Sequence, residues 1–191
     1  MRRSISLFLL LAFTVSLATA QDSSWVPDKA HSEVDFSILH MSLSNVHGRF
    51  GNISGTIEWN ASDVTKSTVN ITIDVSSVDT GEGARDSALK GSGFFDTDKY
   101  PTATFVSTGV TRGADGLTVN GNLTLHGVTK PVVLQVEGPN GPVTGMDHKP
   151  HVGFSASTTI DRNDFGIGSG YPSAIVGDAV KLTVDLEAIK Q

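Results

Sequence analysis

Histidine has the widest chemical repertoire of the residues in this sequence, because imidazole both binds metals and transfers protons near neutral pH. There are six histidines and no cysteine. His148 and His151 are three residues apart, a spacing that on a strand sends their rings to opposite faces. His40 and His47 flank a turn-like segment, and the sequence contains no helical HExxH motif. The pattern predicts structural histidines, His31 among them, and no dedicated metal site.

Serine nucleophiles are the next candidates for chemistry. A serine hydrolase would need a nucleophile elbow of the form GxSxG, in which the serine stands on a sharp turn between a strand and a helix. The two Gly-Ser-Gly segments, at residues 91–93 and 168–170, lack that form. Nor do titratable residues converge in the sequence in a pattern that suggests a shared target. We therefore predict no catalytic residue, no cofactor and a protein that is not an enzyme.

Two arginines are candidates for binding an anionic or carbonyl group, because the planar guanidinium presents a fork of donors. Arg85 precedes Asp86 in a helix-forming segment, and Arg162 lies two residues before Asp164 beside a glycine-rich turn. In each pair, the arginine either meets a ligand or makes a local ion pair that positions its segment. The local ion pair is slightly favoured, and both interpretations stay open.

Apolar and polar residues alternate with a period of two through most of the chain, which predicts β-strands. Clear rows lie in residues 34–40, 69–75, 152–160 and 180–186. Short polar turns join the rows, so neighbouring strands should run antiparallel, because parallel pairs need long crossovers. The predicted fold class is all-β, a single antiparallel barrel of about eight strands. A solid-cored β-sandwich would show the same alternation.

One segment interrupts the strands. Residues 84–90 are good helix formers, and Phe94 and Phe95 follow a Gly-Ser-Gly break. A short helix followed by a pair of aromatic residues, placed between two strands, is typical of a lid. We predict that residues 84–95 cover one end of the β-structure.

The first 20 residues have the composition of a secretory signal peptide. Arg2 and Arg3 precede an apolar run, residues 5–17, that is too short to span a bilayer, and an Ala-Thr-Ala cleavage site follows. We predict residues 1–20 as the signal peptide and residues 21–191 as one exported domain. Without a cysteine for lipid attachment, the expected location is the periplasm, as a soluble protein without a lipid anchor or stable membrane insertion.

The formal net charge is −6, and the acidic residues are scattered. Nucleic acids and anionic membrane surfaces select proteins with clustered lysine and arginine. We therefore exclude nucleic acid as the main partner.

A series of motifs runs in order along nearly the whole chain after residue 24. They are Trp25-x-Pro27-Asp28-x-x-His31-Ser32-x-Val34-x-Phe36, His40-Met41, Val46-x-Gly48-x-Phe50, Arg85-Asp86, Phe94-Phe95-Asp96, Tyr100-Pro101-x-x-x-Phe105, residues 121–131, Ile160-Asp161-Arg162-x-Asp164-Phe165-Gly166 and Val176-Gly177-Asp178. Together they resemble the YceI-like family of secreted, lipocalin-like barrels that bind polyisoprenoids or other long-chain amphiphiles.

The resemblance implies an antiparallel barrel whose lumen holds an apolar tail, with the polar head near one end and no catalytic centre. Its ligand would be an isoprenoid quinone, a prenyl phosphate or a fatty-acid derivative, and a homodimer is left open. Family members commonly carry histidine two residues after the Arg-Asp pair, where this chain has Ala88.

Residues and resemblance together predict a periplasmic carrier that binds a long-chain lipid in an apolar lumen. The predicted ligand-binding residues are Phe36, Ile38, Phe50, Ile57, Arg85, Phe94, Phe95, Phe105, Leu123, Phe154 and Phe165. The alternative is a stress-related interaction module with a solid β core that acts through its surface.

Overall fold

The computed structural model describes residues 23–114 and 116–191, and the predicted signal peptide lies outside the described residues. The described chain forms one antiparallel sheet with a single α-helix inserted in it. Its elements are β1 (Ser23–His40), β2 (Ser44–Phe50), β3 (Ile53–Trp59), β4 (Thr68–Asp74), α1 (Gly83–Lys90), β5 (Thr102–Arg112), β6 (Leu117–Leu125), β7 (Val128–Thr144), β8 (Pro150–Asp161) and β9 (Val176–Lys190). In the part of the chain that the structure describes, no helix has the length and apolar character needed to cross a membrane.

The sheet closes into a barrel because β1 pairs with β9 as well as with β2 and β3. β2 pairs with residues 34–40 of β1, and β3 pairs with residues 23–25. β2 and β3 therefore act as one barrel strand that is interrupted at Gly51 and Asn52, where Asn52 has a positive φ of 52°. Counted this way, the nine strands make an eight-strand barrel. The predicted all-β, antiparallel barrel of about eight strands is confirmed.

Glycines make room for the aromatic rings that point into the barrel. Gly48 lies opposite Phe36 in the β1–β2 register. A Cβ at Gly48 would lie 2.7 Å from Cε1 of Phe36, and one at Gly121 would lie 2.6 Å from Cε2 of Phe105. Each ring therefore lies against the backbone of a neighbouring strand, which keeps it close to the barrel wall.

The inserted helix begins at a side-chain cap. The Glu82 carboxylate accepts hydrogen bonds from the backbone amides of Ala84 (3.3 Å) and Arg85 (2.7 Å), which satisfies two donors of the first turn. After the helix, the amide of Phe95 donates to the carbonyl of Leu89 at 3.0 Å, which turns the chain back toward the barrel. The helix predicted near residues 84–90 is confirmed.

Candidate functional site

Two apolar chambers lie end to end inside the barrel. Their cavity volumes are about 130 and 140 Å³. Both chambers share four lining residues, which we call the waist: Val34, Ile73, Leu123 and Leu182. The barrel therefore encloses one long apolar lumen, narrowed near its middle.

The lid chamber is the one beneath the segment after α1, and Leu89, Phe94 and Phe95 contribute to its lining. The ring of Phe95 packs edge-on against Phe50 of β2, with ring centroids 5.5 Å apart and an interplanar angle of 78°. Phe36 in turn packs beside Phe50 at 5.5 Å. The segment that sequence analysis predicted as a lid thus contacts the barrel wall through aromatic rings.

A second segment, residues 162–175, completes the cover. Its Ile167 lines the lid chamber, and its Tyr171 stacks on Phe94 with ring centroids 4.9 Å apart at 26°. The glycine-rich sequence of this stretch predicts only a turn. The signal that could have revealed it is the pair of bulky apolar residues, Ile167 and Tyr171, placed among glycines.

Arg162 holds this second segment in place. Its side chain is 3% exposed and donates hydrogen bonds to five backbone carbonyls and one carboxylate. The acceptors are the carbonyls of Ile167, Gly168, Tyr171, Val176 and Gly177, at 2.7–3.0 Å, and Asp178 Oδ1 at 3.1 Å. All the donors of the guanidinium are engaged within the protein, so its role is to position the loop.

The acidic partner of Arg162 is Asp178, whereas the neighbour in sequence, Asp164, lies 4.0 Å from Lys130 Nζ. Hydrogen bonds from Ser173 and Asn163, with the charge of Arg162, hold the pKa of Asp178 below its usual value. The carboxylate therefore stays ionised beside the buried guanidinium.

Arg85 and Asp86 both bind Thr80, the residue before the loop that leads into α1. Arg85 Nε donates to Thr80 Oγ1 (2.7 Å), and Arg85 Nη2 donates to the Thr80 carbonyl (2.9 Å). Asp86 Oδ1 accepts from the Thr80 amide (2.8 Å) and hydroxyl (2.6 Å). These contacts fasten the start of the helix, and Arg85 does not line either chamber.

The structure places most of the predicted ligand-binding residues around the lumen. Phe36, Ile38, Phe50, Phe94 and Phe95 line the lid chamber, Ile57, Phe105 and Phe154 line the other, which we call the distal chamber, and Leu123 is in the waist. Arg85 and Phe165 line neither, and Phe165 is 1% exposed in the core. The alternating rows contain Val34, Ile73 and Leu182, but alternation alone does not distinguish these three residues from their neighbours. A role in ligand binding remains a prediction for all of these residues.

Comparison with known proteins gives concordant matches. The family model described as the YceI-like domain matches residues 25–188. Protein YceI of Escherichia coli O17:K52:H18 is 35% identical over 188 residues, covering 96% of this chain and 95% of that protein. BcnA of Burkholderia cenocepacia has a similar structure, with a TM-score of 0.71 at 28% identity, covering 84% of this chain and 98% of BcnA.

A more distant structure is a domain from Saccharophagus degradans, described as polyisoprenoid binding and implicated in plant cell wall breakdown. Its TM-score is 0.65 at 17% identity, and the match covers 90% of this chain and all (100%) of that domain. At this identity the likeness is one of fold alone.

Proposed function

This chain belongs to the YceI-like family, and from that premise we propose that it is a binding or carrier protein for a long-chain isoprenoid or another amphiphilic lipid. The observation that carries the proposal is the long apolar lumen, whose two chambers meet at a waist beneath an aromatic cover. The polyisoprenoid-binding description of the S. degradans domain, which shares the fold, supports the same class of ligand.

The lumen suits a flexible apolar tail better than a compact ligand. The two chambers are joined in line, so a tail longer than either chamber threads the waist and fills both. Burial of apolar surface contributes roughly 25 cal/mol per Å², so a tail that buries ~300 Å² gains about 7 kcal/mol without a specific hydrogen bond. The ligand class is thus an isoprenoid quinone, a prenyl phosphate or a fatty-acid derivative, held by its tail.

The proposal includes no catalytic step. The guanidinium of Arg162 lies at the lid chamber, but its donors are taken by the loop carbonyls and Asp178.

The alternative of a solid β core that acts through its surface has less support, because both chambers are unfilled by side chains. Export to the periplasm after removal of residues 1–20 completes the proposal, since such lipids cross an aqueous compartment only when a carrier shields them.

Lipid mass spectrometry tests the proposal. Protein purified from cells and extracted with organic solvent should release one long-chain lipid in a stoichiometric amount. A variant with a blocked lid chamber, Ala103→Trp, is the matched control and should release only background lipid. The proposal fails if repeated extraction of the unmodified protein yields background lipid and added quinone or prenyl phosphate produces no shift in thermal stability.

Arg85 offers a test of how the lid works. Arg85→Ala removes two hydrogen bonds to Thr80, so the lid should open more often and bound lipid should leave about threefold to tenfold faster. Because the substitution changes how often the lid opens and not a contact with the head group, release of an uncharged quinone and of a prenyl phosphate should become faster by the same factor. Stopped-flow transfer of each lipid to vesicles measures the rates, and Arg112→Ala, at the end of β5, is the control. Faster release of the prenyl phosphate alone would instead assign Arg85 to the head group.

A further inference from the structure

Five titratable side chains converge at the end of the barrel away from α1: Asp28, His31, Asp147, His151 and Glu187. His31 Nδ1 lies 2.9 Å from Asp28 Oδ2. His151 lies between two carboxylates, with Nδ1 2.6 Å from Glu187 Oε1 and Nε2 2.9 Å from Asp147 Oδ1. The lipid-binding proposal uses none of these residues.

A large bulge in β1 brings the cluster together. In the pairing of β1 with β9, Pro27 lies opposite Ala188, and the next pair is Ser32 opposite Leu186. Residues 28–31 therefore face the single residue Glu187. The bulge is held closed by Ser32, whose hydroxyl donates to the Glu187 carbonyl (3.1 Å) and accepts from the Glu187 amide (3.2 Å). Extra residues at a bulge re-aim side chains, and here they aim Asp28 and His31 toward Glu187.

We propose that Asp28, His31 and Glu187 form a binding site for a divalent transition-metal ion such as Zn²⁺. One ligand atom from each residue lies within 4.8 Å of the other two. Tetrahedral bonds of about 2.0–2.1 Å to Zn²⁺ require ligand atoms about 3.3 Å apart. The His31 side chain is 64% exposed, so it can rotate by the small amount that closes the remaining gap.

A second set of groups orients the carboxylate ligands, as in protein metal sites generally. The amide of Ala30 donates to Asp28 Oδ1 at 2.9 Å, which leaves Oδ2 directed at the site. His151 Nδ1 hydrogen-bonds to Oε1 of Glu187, which leaves Oε2 of Glu187 for an ion. Asp147 hydrogen-bonds to the other ring nitrogen of His151, Nε2, and so fixes the orientation of the imidazole. Each carboxylate is therefore oriented through one oxygen, and Oδ2 of Asp28 would exchange its hydrogen bond with His31 Nδ1 for a bond to the ion.

The charge of the cluster also favours a cation. Three carboxylates surround two imidazoles, and among the described residues no lysine or arginine forms an ion pair with any of the three. A bound divalent ion would compensate the same negative charge.

The ligand set selects the class of ion. Carboxylates alone suit Ca²⁺ and Mg²⁺, whereas an imidazole ligand shifts the preference toward Zn²⁺ and other transition metals. Three protein ligands leave one position of a tetrahedron for water, so the ion would exchange with the solvent. The site lies outside the lumen, and its occupancy is independent of the lipid.

Isothermal titration of the untagged protein with ZnCl₂ tests the proposal. One ion should bind per chain, and His31→Ala and Asp28→Asn should each weaken binding at least tenfold. His148→Ala is the matched control, because His148 is an exposed histidine in the nearby turn and should leave the affinity unchanged. CaCl₂ in place of ZnCl₂ should bind at least tenfold more weakly.

Two results would overturn the proposal. One is the absence of both titration heat and a Zn²⁺-dependent rise in thermal stability for the unmodified protein. The other is equal affinity in His31→Ala, Asp28→Asn and His148→Ala, which would place the ion elsewhere. The three substitutions lie on exposed or part-exposed side chains, and circular dichroism before titration establishes that each variant is folded.

Discussion

Arg162→Ala lowers the free energy of unfolding by about 3–5 kcal/mol, because each buried acceptor that loses its donor costs about 1–3 kcal/mol. The substitution deprives five backbone carbonyls of their donor and leaves Asp178 without its buried partner. Three of those carbonyls belong to the segment 162–175, and two of the three residues, Ile167 and Gly168, are buried. The stability of the fold and the closure of the lumen therefore both depend on the Arg162 side chain.

Urea unfolding of the two proteins measures the difference. Arg112→Ala is the control, because Arg112 is exposed at the end of β5 and its loss should change stability by less than about 0.5 kcal/mol. Arg162→Lys tests the geometry, since a single ammonium with three donors reaches only part of the network and should recover less than half of the loss. Limited proteolysis should cut both Arg162 variants within residues 166–175. If Arg162→Ala is as stable as Arg112→Ala, Arg162 does not organise the loop.

The barrel was predictable because alternation is a local property of the chain. A row such as residues 152–160 shows which side chains share a face, and polar turns between rows indicate antiparallel pairing. The helix and the aromatic pair Phe94–Phe95 were predictable for the same reason, since helix-forming residues and a glycine break are contiguous. What alternation does not show is depth along the barrel. Leu123 and Leu182 therefore could not be recognised as a waist.

The contacts that complete the site join residues far apart in the chain. Tyr171 covers Phe94, and Arg162 takes Asp178 as its partner although Asp164 is closer in sequence. The bulge at residues 28–31 depends on the register between the first and last strands, which a single sequence does not reveal. These features arise from closure of the barrel. They therefore cannot be predicted from local patterns in the sequence.

Ala103→Trp abolishes the uptake of lipids of every tail length, while Ala156→Trp weakens the binding of long tails only. Ala103, 6% exposed, lines the lid chamber, and Ala156 lines the distal chamber beyond the waist. An indole in the lid chamber blocks the path that any tail takes past the aromatic cover. In the distal chamber, it removes only the space that the end of a long tail fills.

Fluorescence titration with geranyl phosphate and octaprenyl phosphate distinguishes the two variants. Ala156→Trp should bind the short lipid with unchanged affinity and the long lipid at least tenfold more weakly, a loss of about 1.4 kcal/mol. Equal behaviour of the two variants would contradict a lumen entered from the lid end.

The stability of these variants separates an open lumen from a solid core. Ala188 supplies the matched comparison, since it is 0% exposed in the core and lines neither chamber. Ala188→Trp overpacks its surroundings and should cost about 1–3 kcal/mol or more, whereas Ala103→Trp places its ring in unfilled space and should cost less than about 1 kcal/mol. Equal destabilisation of the two variants in urea would mean that side chains fill the lid chamber in solution. In that case, the loss of lipid uptake would follow from damage to the fold and not from a blocked lumen. Uptake and stability must therefore be measured on the same preparations.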